Sequence, residues 1–174
     1  MFYLLDVKMP AILFLCTANQ FRSPIAAACF SQKLAASGVT ETWRVDSAGT
    51  WAVEGLPAHP SAVEAAVKQG LNISSHNTKE VKAELLKDFD LLVVMETHHK
   101  EVLELEFPQV IGRIIMLGQL ASLPDADIPD PAREAFAEAD AVANLVCSSI
   151  QRTYPKLVKF AQLLHEGYSM VPFD

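Results

Sequence analysis

Short apolar runs alternate with amphipathic segments along this chain of 174 residues. The continuous apolar residues at 11–15 and 89–95 are typical of strands buried on both faces of a parallel sheet. Weaker runs predict two more strands at 42–47 and 113–117. Helical spacing predicts one helix that starts near residue 23 and further helices at 60–69, 78–87, 97–105 and 132–165. Strands that alternate with helices predict an α/β sandwich whose parallel sheet is covered on both faces.

Two of the predicted helices carry residues that mark or interrupt them. Ser23 is predicted to cap the first helix, with Pro24 at its first position and Gly38 beyond its end. Pro155 falls inside the long segment at 132–165 and predicts a break or kink there.

Ligands bind at the carboxyl ends of the strands in parallel α/β sheets. Cys16 directly follows the first predicted strand and is therefore a candidate residue of a ligand-binding site.

The amino-acid composition narrows the class of protein and the partners that this chain can have. With 51% apolar and 20% charged residues, the chain is typical of a globular protein, and no apolar run is long enough to predict a membrane span. We predict an N-terminal extension at 1–10 and one domain at 11–174. The net charge of −7 and the lack of a Lys/Arg cluster argue against nucleic-acid binding. The three cysteines lack the spacing of a zinc site, which predicts reduced thiols in a cytoplasmic protein.

The loop between the first strand and the first helix carries the strongest candidate chemistry. Cys16 and Arg22 bound a segment short enough for its backbone N–H groups to surround an oxyanion at a helix N-terminus. The Arg22 guanidinium can bind the same oxyanion with two donors. These positive surroundings also favour a nucleophilic thiolate. The loop predicts metal-independent phosphoryl transfer through a phosphocysteine, and the alternative is a buried thiol near a surface arginine.

Asp130 is the candidate acid for the leaving group. It lies between Pro129 and Pro131, which hold its carboxylate on a stiff loop where the last helix is expected to begin. Asp125 and Asp127 are local competitors. The alternative for Asp130 is a turn or a helix cap.

Together these residues resemble the low-molecular-weight protein tyrosine phosphatases. The family pattern Cys-x-Gly-Asn-x-Cys-Arg-Ser-Pro corresponds to residues 16–24, Ser-Ala-Gly-Thr to residues 47–50, and the late Asp-Pro pair to Asp130 and Pro131. The resemblance implies a three-layer α/β sandwich with a four-stranded parallel sheet. It also implies Cys16 as nucleophile, Arg22 as phosphate clamp and Asp130 as general acid and base, with no cofactor or metal.

The resemblance also assigns supporting residues. The implied phosphate-binding loop comprises Thr17, Ala18, Asn19, Gln20, Phe21 and Arg22. Ser23 would donate a hydrogen bond to the Cys16 thiolate. Asn19, a residue type that tolerates positive φ, would hold the loop with the support of Ser23, Ser47 and His76. Trp51 is a candidate wall of the pocket, with a buried packing role as the alternative. His98 and His99 are expected to be exposed on a helix.

Several positions depart from the family pattern. Phe21 replaces the second cysteine, so that the usual vicinal disulfide with the nucleophile cannot form. Ala18 replaces a glycine, Glu96 stands where Asp is common, and Ala132 stands where an aromatic residue often follows the Asp-Pro pair. Gln20 occupies a position that is usually apolar in the tyrosine phosphatases and threonine in the related arginine phosphatases. These departures bear on the substrate rather than on phosphate-ester chemistry.

The expected function is hydrolysis of phosphomonoesters by a monomeric or weakly dimeric protein tyrosine phosphatase. Its partner would be a phosphorylated protein or a small phosphomonoester. Three alternatives use the same loop: a phosphoarginine phosphatase, an arsenate reductase and a catalytically inactive phosphate-binding module. No resolving cysteine lies at 78–90, which disfavours arsenate reduction.

Overall fold

Four parallel strands form the sheet at the centre of the protein. The computed structural model describes residues 9–170, and the predicted extension at 1–10 therefore lies almost entirely outside the described residues. The strands are β1 Ala11–Cys16, β2 Arg44–Gly49, β3 Leu91–Val94 and β4 Ile114–Met116. Their order is β2-β1-β3-β4, and every neighbouring pair is parallel. The predicted four-stranded parallel sheet is confirmed.

Helices cover both faces of this sheet. They are α1 Arg22–Ala36, α2 Pro60–Lys68, α3 Ala83–Leu86, α4 Thr97–Glu106, α5 Leu117–Leu120 and α6 Ala139–His165, with shorter 3-10 turns at Thr40–Thr42, Pro108–Val110 and Pro131–Glu134. No helix in the described range 9–170 combines the length and the apolar character needed to cross a bilayer.

The core is divided by β1, whose six residues are all buried. Ile12 and Phe14 pack in one apolar cluster with α1, α2 and α6, whereas Leu13 and Leu15 pack in a second cluster with α3 and α4. Both faces of the strand therefore require apolar side chains, which explains its continuous apolar run. The arrangement is the predicted three-layer sandwich.

Three local predictions were wrong. Helix α1 begins at Arg22, and Ser23 lies inside it rather than capping it. The helix predicted at 78–87 is reduced to α3, because Asn77 and Glu80 form isolated β-bridges instead. Helix α6 continues through Pro155, so the break predicted there does not occur, while a kink stays a prediction. Burial of Leu157 beyond the proline keeps this part of the helix docked and offsets the lost hydrogen bond.

The prediction of three reduced cysteines was also wrong. Cys29 in α1 and Cys147 in α6 form a disulfide with a Cα–Cα distance of 5.8 Å, while Cys16 is free and buried. The two bonded residues are 118 positions apart, so their proximity depends on the packing of α1 against α6. No local pattern in the sequence could reveal it.

Candidate active site

Cys16 ends β1 at the carboxyl edge of the sheet, and the loop after it turns its carbonyl groups outward. The carbonyls of Cys16 and Thr17 accept hydrogen bonds from the N–H groups of Thr50 and Trp51, and that of Gln20 accepts from His59, at 2.9–3.0 Å. Across the described residues, the backbone N–H groups of 17–22 have no protein acceptor. The loop therefore presents a set of unpaired donors to its interior, which is the arrangement of an anion site.

Asn19 holds this loop in shape. It is fully buried and has a φ of 57°, in the left-handed region that Asn tolerates. Its Nδ2 donates to Ser23 Oγ at 2.8 Å and to Ser47 Oγ at 2.9 Å, and its Oδ1 accepts from the Lys79 N–H. His76 Nε2 donates to the Asn19 carbonyl at 2.7 Å. Every polar group of the Asn19 side chain is thus engaged.

The same hydrogen bonds orient the Ser23 hydroxyl. Because Asn19 Nδ2 donates to Ser23 Oγ, the single Ser23 proton is free to point elsewhere. Cys16 Sγ lies 3.0 Å from Ser23 Oγ, closer than the Ala48 carbonyl oxygen at 3.3 Å. Ser23 is therefore placed to donate to a Cys16 thiolate.

Arg22 connects the loop at 16–22, predicted to bind phosphate, to two carboxylates. Its side chain is almost fully buried; Nη1 donates to Glu96 Oε1 and to the Ile128 carbonyl, and Nη2 lies 2.9 Å from Asp130 Oδ2. Two of the five N–H donors of the guanidinium, both on Nη1, therefore make hydrogen bonds to described residues, and Nη2 forms an ion pair with Asp130. The predicted clamp and the predicted acid are in direct contact.

The sequence predicted Asp130 at the start of the last helix, but Asp130 instead precedes a 3-10 turn, and α6 begins only at Ala139. Its Oδ1 accepts from the Ala132 N–H at 3.1 Å and caps the turn Pro131–Glu134, while its Oδ2 contacts Arg22. The competing Asp127 bonds the N–H and the hydroxyl of Thr97 instead. Asp130 is thus the carboxylate of this loop that reaches the phosphate loop.

Glu96 was noted in the sequence only as a departure. It is buried, with Oε1 bound to Arg22 and Oε2 2.9 Å from both Arg133 Nη2 and His98 Nδ1. Glu96, His98 and His99 bring possible metal-ligand atoms within 4.8 Å of one another. Oε1 is already paired with Arg22 and Oε2 with Arg133, which is the chemistry of an ion-pair network rather than of a vacant ligand set.

His99 is buried, contrary to the expectation of an exposed helix residue. Its Nδ1 accepts the Glu96 N–H at 3.1 Å and forms a reciprocal capping box at the start of α4. Its Nε2 must therefore carry the proton, and it donates to Thr17 Oγ1 at 2.9 Å. Burial, followed by the nearby His98 and Arg22, lowers the pKa of His99 to about 3. The Glu-x-x-His spacing was the sequence signal that could have revealed the role of His99.

Burial also lowers the pKa of His76.

The remaining loop positions lie around the mouth of the site. Trp51 is 83% exposed, which rules out the buried packing alternative, and its backbone N–H donates to the Thr17 carbonyl. Ala18 does not adopt positive φ, so the lost glycine costs no strain. Gln20 Nε2 donates to the Pro57 carbonyl. Phe21 is buried, with its ring centroid 6.0 Å from that of Phe136.

Known proteins share both the sequence pattern and the fold. A family model described as low molecular weight phosphotyrosine protein phosphatase matches residues 11–167. The chain is 32% identical to the probable low molecular weight protein-tyrosine-phosphatase EpsP of Ralstonia nicotianae, covering 84% of this chain and 94% of the relative.

Solved structures agree with this match. The low molecular weight protein tyrosine phosphatase from T. tengcongensis superposes with a TM-score of 0.76 at 33% identity, covering 84% of this chain and 98% of that structure. The YwlE arginine phosphatase from Geobacillus stearothermophilus has a TM-score of 0.75 at 29% identity, covering 88% and 95%. Since the family model spans almost all of the described residues, the chain belongs to the low molecular weight phosphotyrosine protein phosphatase family.

Proposed function

We propose that this cysteine-dependent phosphatase hydrolyses phosphomonoesters through a covalent intermediate on Cys16. The thiolate attacks phosphorus, the bond to the ester oxygen breaks, and Asp130 gives its proton to the departing alkoxide or phenoxide. Asp130 then takes a proton from water as the water attacks the phosphocysteine. Inorganic phosphate leaves and the thiolate is restored, so both half-reactions balance without a metal or an external reductant.

One observation carries this proposal: six consecutive backbone N–H groups at 17–22 lack protein acceptors beside a free thiol. Donors that already point at the position where charge develops cost no reorganisation during the reaction. The guanidinium N–H donors of Arg22 that make no hydrogen bond to a described residue add to this cradle. Ser23, by donating to Cys16, stabilises the thiolate as attacking and as leaving group.

Phosphotyrosine in a protein is the proposed substrate. The names of the relatives support it, and the exposed Trp51 beside the loop provides an apolar surface for a phenyl ring. Cytoplasmic location and a monomeric or weakly dimeric state stay predictions from the sequence.

The test is hydrolysis of para-nitrophenyl phosphate in the presence of a metal chelator. We expect activity that vanishes in Cys16→Ser and is inhibited by vanadate or phosphate. Activity that survives in Cys16→Ser, or that requires added metal, would overturn the proposal.

The substrate class needs a separate comparison. A phosphotyrosine peptide is expected to be a better substrate than a phosphoarginine peptide, by the ratio of kcat/KM. Arsenate with a thiol donor serves as the third arm. Preference for phosphoarginine, or reduction of arsenate, would retain the loop chemistry but replace the substrate.

A further inference from the structure

The contact between Arg22 and Asp130 raises a question about how the acid is held during catalysis. In the proposed reaction a phosphate dianion recruits the guanidinium that Asp130 Oδ2 contacts at 2.9 Å in this structure. The donors of Arg22 are then shared with the substrate. A second attachment is needed to keep the Asp130 carboxyl near the ester oxygen, because small displacements of a catalytic group cost large factors in rate.

Arg133 provides such an attachment. It lies in the 3-10 turn that Asp130 caps, and its N–H donates to the Asp130 carbonyl at 3.1 Å. Its Nη2 lies 2.9 Å from Glu96 Oε2, while the other Glu96 oxygen binds Arg22. One buried carboxylate therefore joins the phosphate clamp to the turn that carries the acid.

The end of this turn is anchored independently. Ala135 and Phe136 both have positive φ, at 48° and 64°, a costly conformation for two consecutive residues with side chains. The strained backbone directs the Phe136 ring onto His59, with centroids 3.7 Å apart and planes 11° from parallel. The Phe136 N–H also donates to the Pro131 carbonyl at 2.8 Å. The turn is thus closed on itself and docked on the start of α2.

We infer that Arg133 is a positioning residue for the general acid: its ion pair with Glu96 holds Asp130 over the phosphate loop when substrate occupies Arg22. The inference rests on the proposed function, because it concerns the acid of that reaction. Arg133 itself does not touch the reacting atoms. Its side chain is 65% exposed, so its removal leaves the core of the protein intact.

The test compares leaving groups. Arg133→Met keeps much of the side-chain length and removes the charge, Arg133→Lys keeps the charge, and Glu134→Gln changes an exposed charge on the same turn as a control. For each variant, kcat/KM is measured with phenyl phosphate, whose leaving group needs protonation, and with para-nitrophenyl phosphate, which needs it less. Melting temperatures are measured in parallel to confirm that the variants fold.

A misplaced acid must affect the two esters differently. General acids contribute on the order of a hundred-fold or more. We therefore expect Arg133→Met to lower kcat/KM about ten-fold for phenyl phosphate and no more than about two-fold for the activated ester. Arg133→Lys should restore much of the loss, and Glu134→Gln should match the wild type. In an Asp130→Asn background, Arg133→Met should have no further effect on the ratio between the esters.

Equal losses on both esters, no loss, or a full effect that persists without Asp130 would overturn the inference. These outcomes are distinct from failure of the proposed function. If Asp130→Asn itself leaves the ratio between the esters unchanged, the acid assignment fails. If Asp130→Asn changes that ratio and Arg133→Met does not, only the role of Arg133 fails.

Discussion

His99 should make the protein sensitive to acid. It is fully buried, and its Nδ1 can gain a proton only by giving up the hydrogen bond from the Glu96 N–H. Burial contributes most to its lowered pKa, and electrostatic interactions with His98, Arg22 and Arg133 lower it further. Asp127 acts in the opposite direction but does not compensate.

The size of the effect follows from the two pKa values of His99, which are about 3 in the folded protein and 6.5 in an unperturbed chain. Between these pH values the unfolded state binds one proton more than the folded state, so stability falls as the pH falls. The slope approaches ~1.4 kcal/mol per pH unit, and the contribution lost between pH 7 and pH 4 is about 3 kcal/mol. That is a large part of the stability of an ordinary domain.

The assay is urea unfolding from pH 7 to pH 4 for the wild type, His99→Asn and His99→Gln. Neither replacement titrates in this range, yet Asn can still accept from the Glu96 N–H whereas Gln can reach towards Thr17. Their stabilities at pH 7 can differ, but both should lose about 3 kcal/mol less than the wild type on acidification. Equal pH dependence in all three proteins would refute the assignment of a buried neutral His99.

Three further predictions concern the stability of the protein and do not involve His99. A Cβ at Gly49 would lie 2.3 Å from the Thr17 carbonyl oxygen. Gly49→Ala should therefore destabilise the protein by about 1–3 kcal/mol and reduce phosphatase activity. A melting temperature equal to that of the wild type would contradict this close contact. The disulfide between Cys29 and Cys147 spans 118 positions, which predicts about 5 kcal/mol lost on reduction in the chain-entropy model, measurable by urea unfolding with and without reductant. Unreduced, denatured protein should expose one reactive thiol, and three would show that the bond is absent. Ser149 Oγ has no hydrogen-bond partner among the described residues although it is buried, so Ser149→Ala should leave stability unchanged or raise it by about 1 kcal/mol, and a clear loss would reveal a missed partner.

Much of the sheet could be predicted because its strands obey a local rule. A strand buried on both faces must be apolar at every position, and β1 and β3 meet that condition without help from distant residues. Helix ends were harder to predict. Serine is a residue type that often caps helices. In this protein, however, the Ser23 hydroxyl hydrogen-bonds Cys16 and Asn19 instead, and the helix begins one residue earlier, at Arg22.

The sequence by itself determined the α/β class, the position of the phosphate loop and the pairing of a thiol with an arginine, because these depend on residues close together in the chain. The resemblance had already assigned the distant Ser47, His76 and Asp130 to the site, but only the tertiary structure revealed the other long-range contacts. The Glu96 carboxylate joins Arg22 to Arg133, His99 holds Thr17, and Cys29 meets Cys147, all across long separations. Such contacts arise from the order of parallel strands and the packing of helices on them, and no short stretch of sequence contains that information.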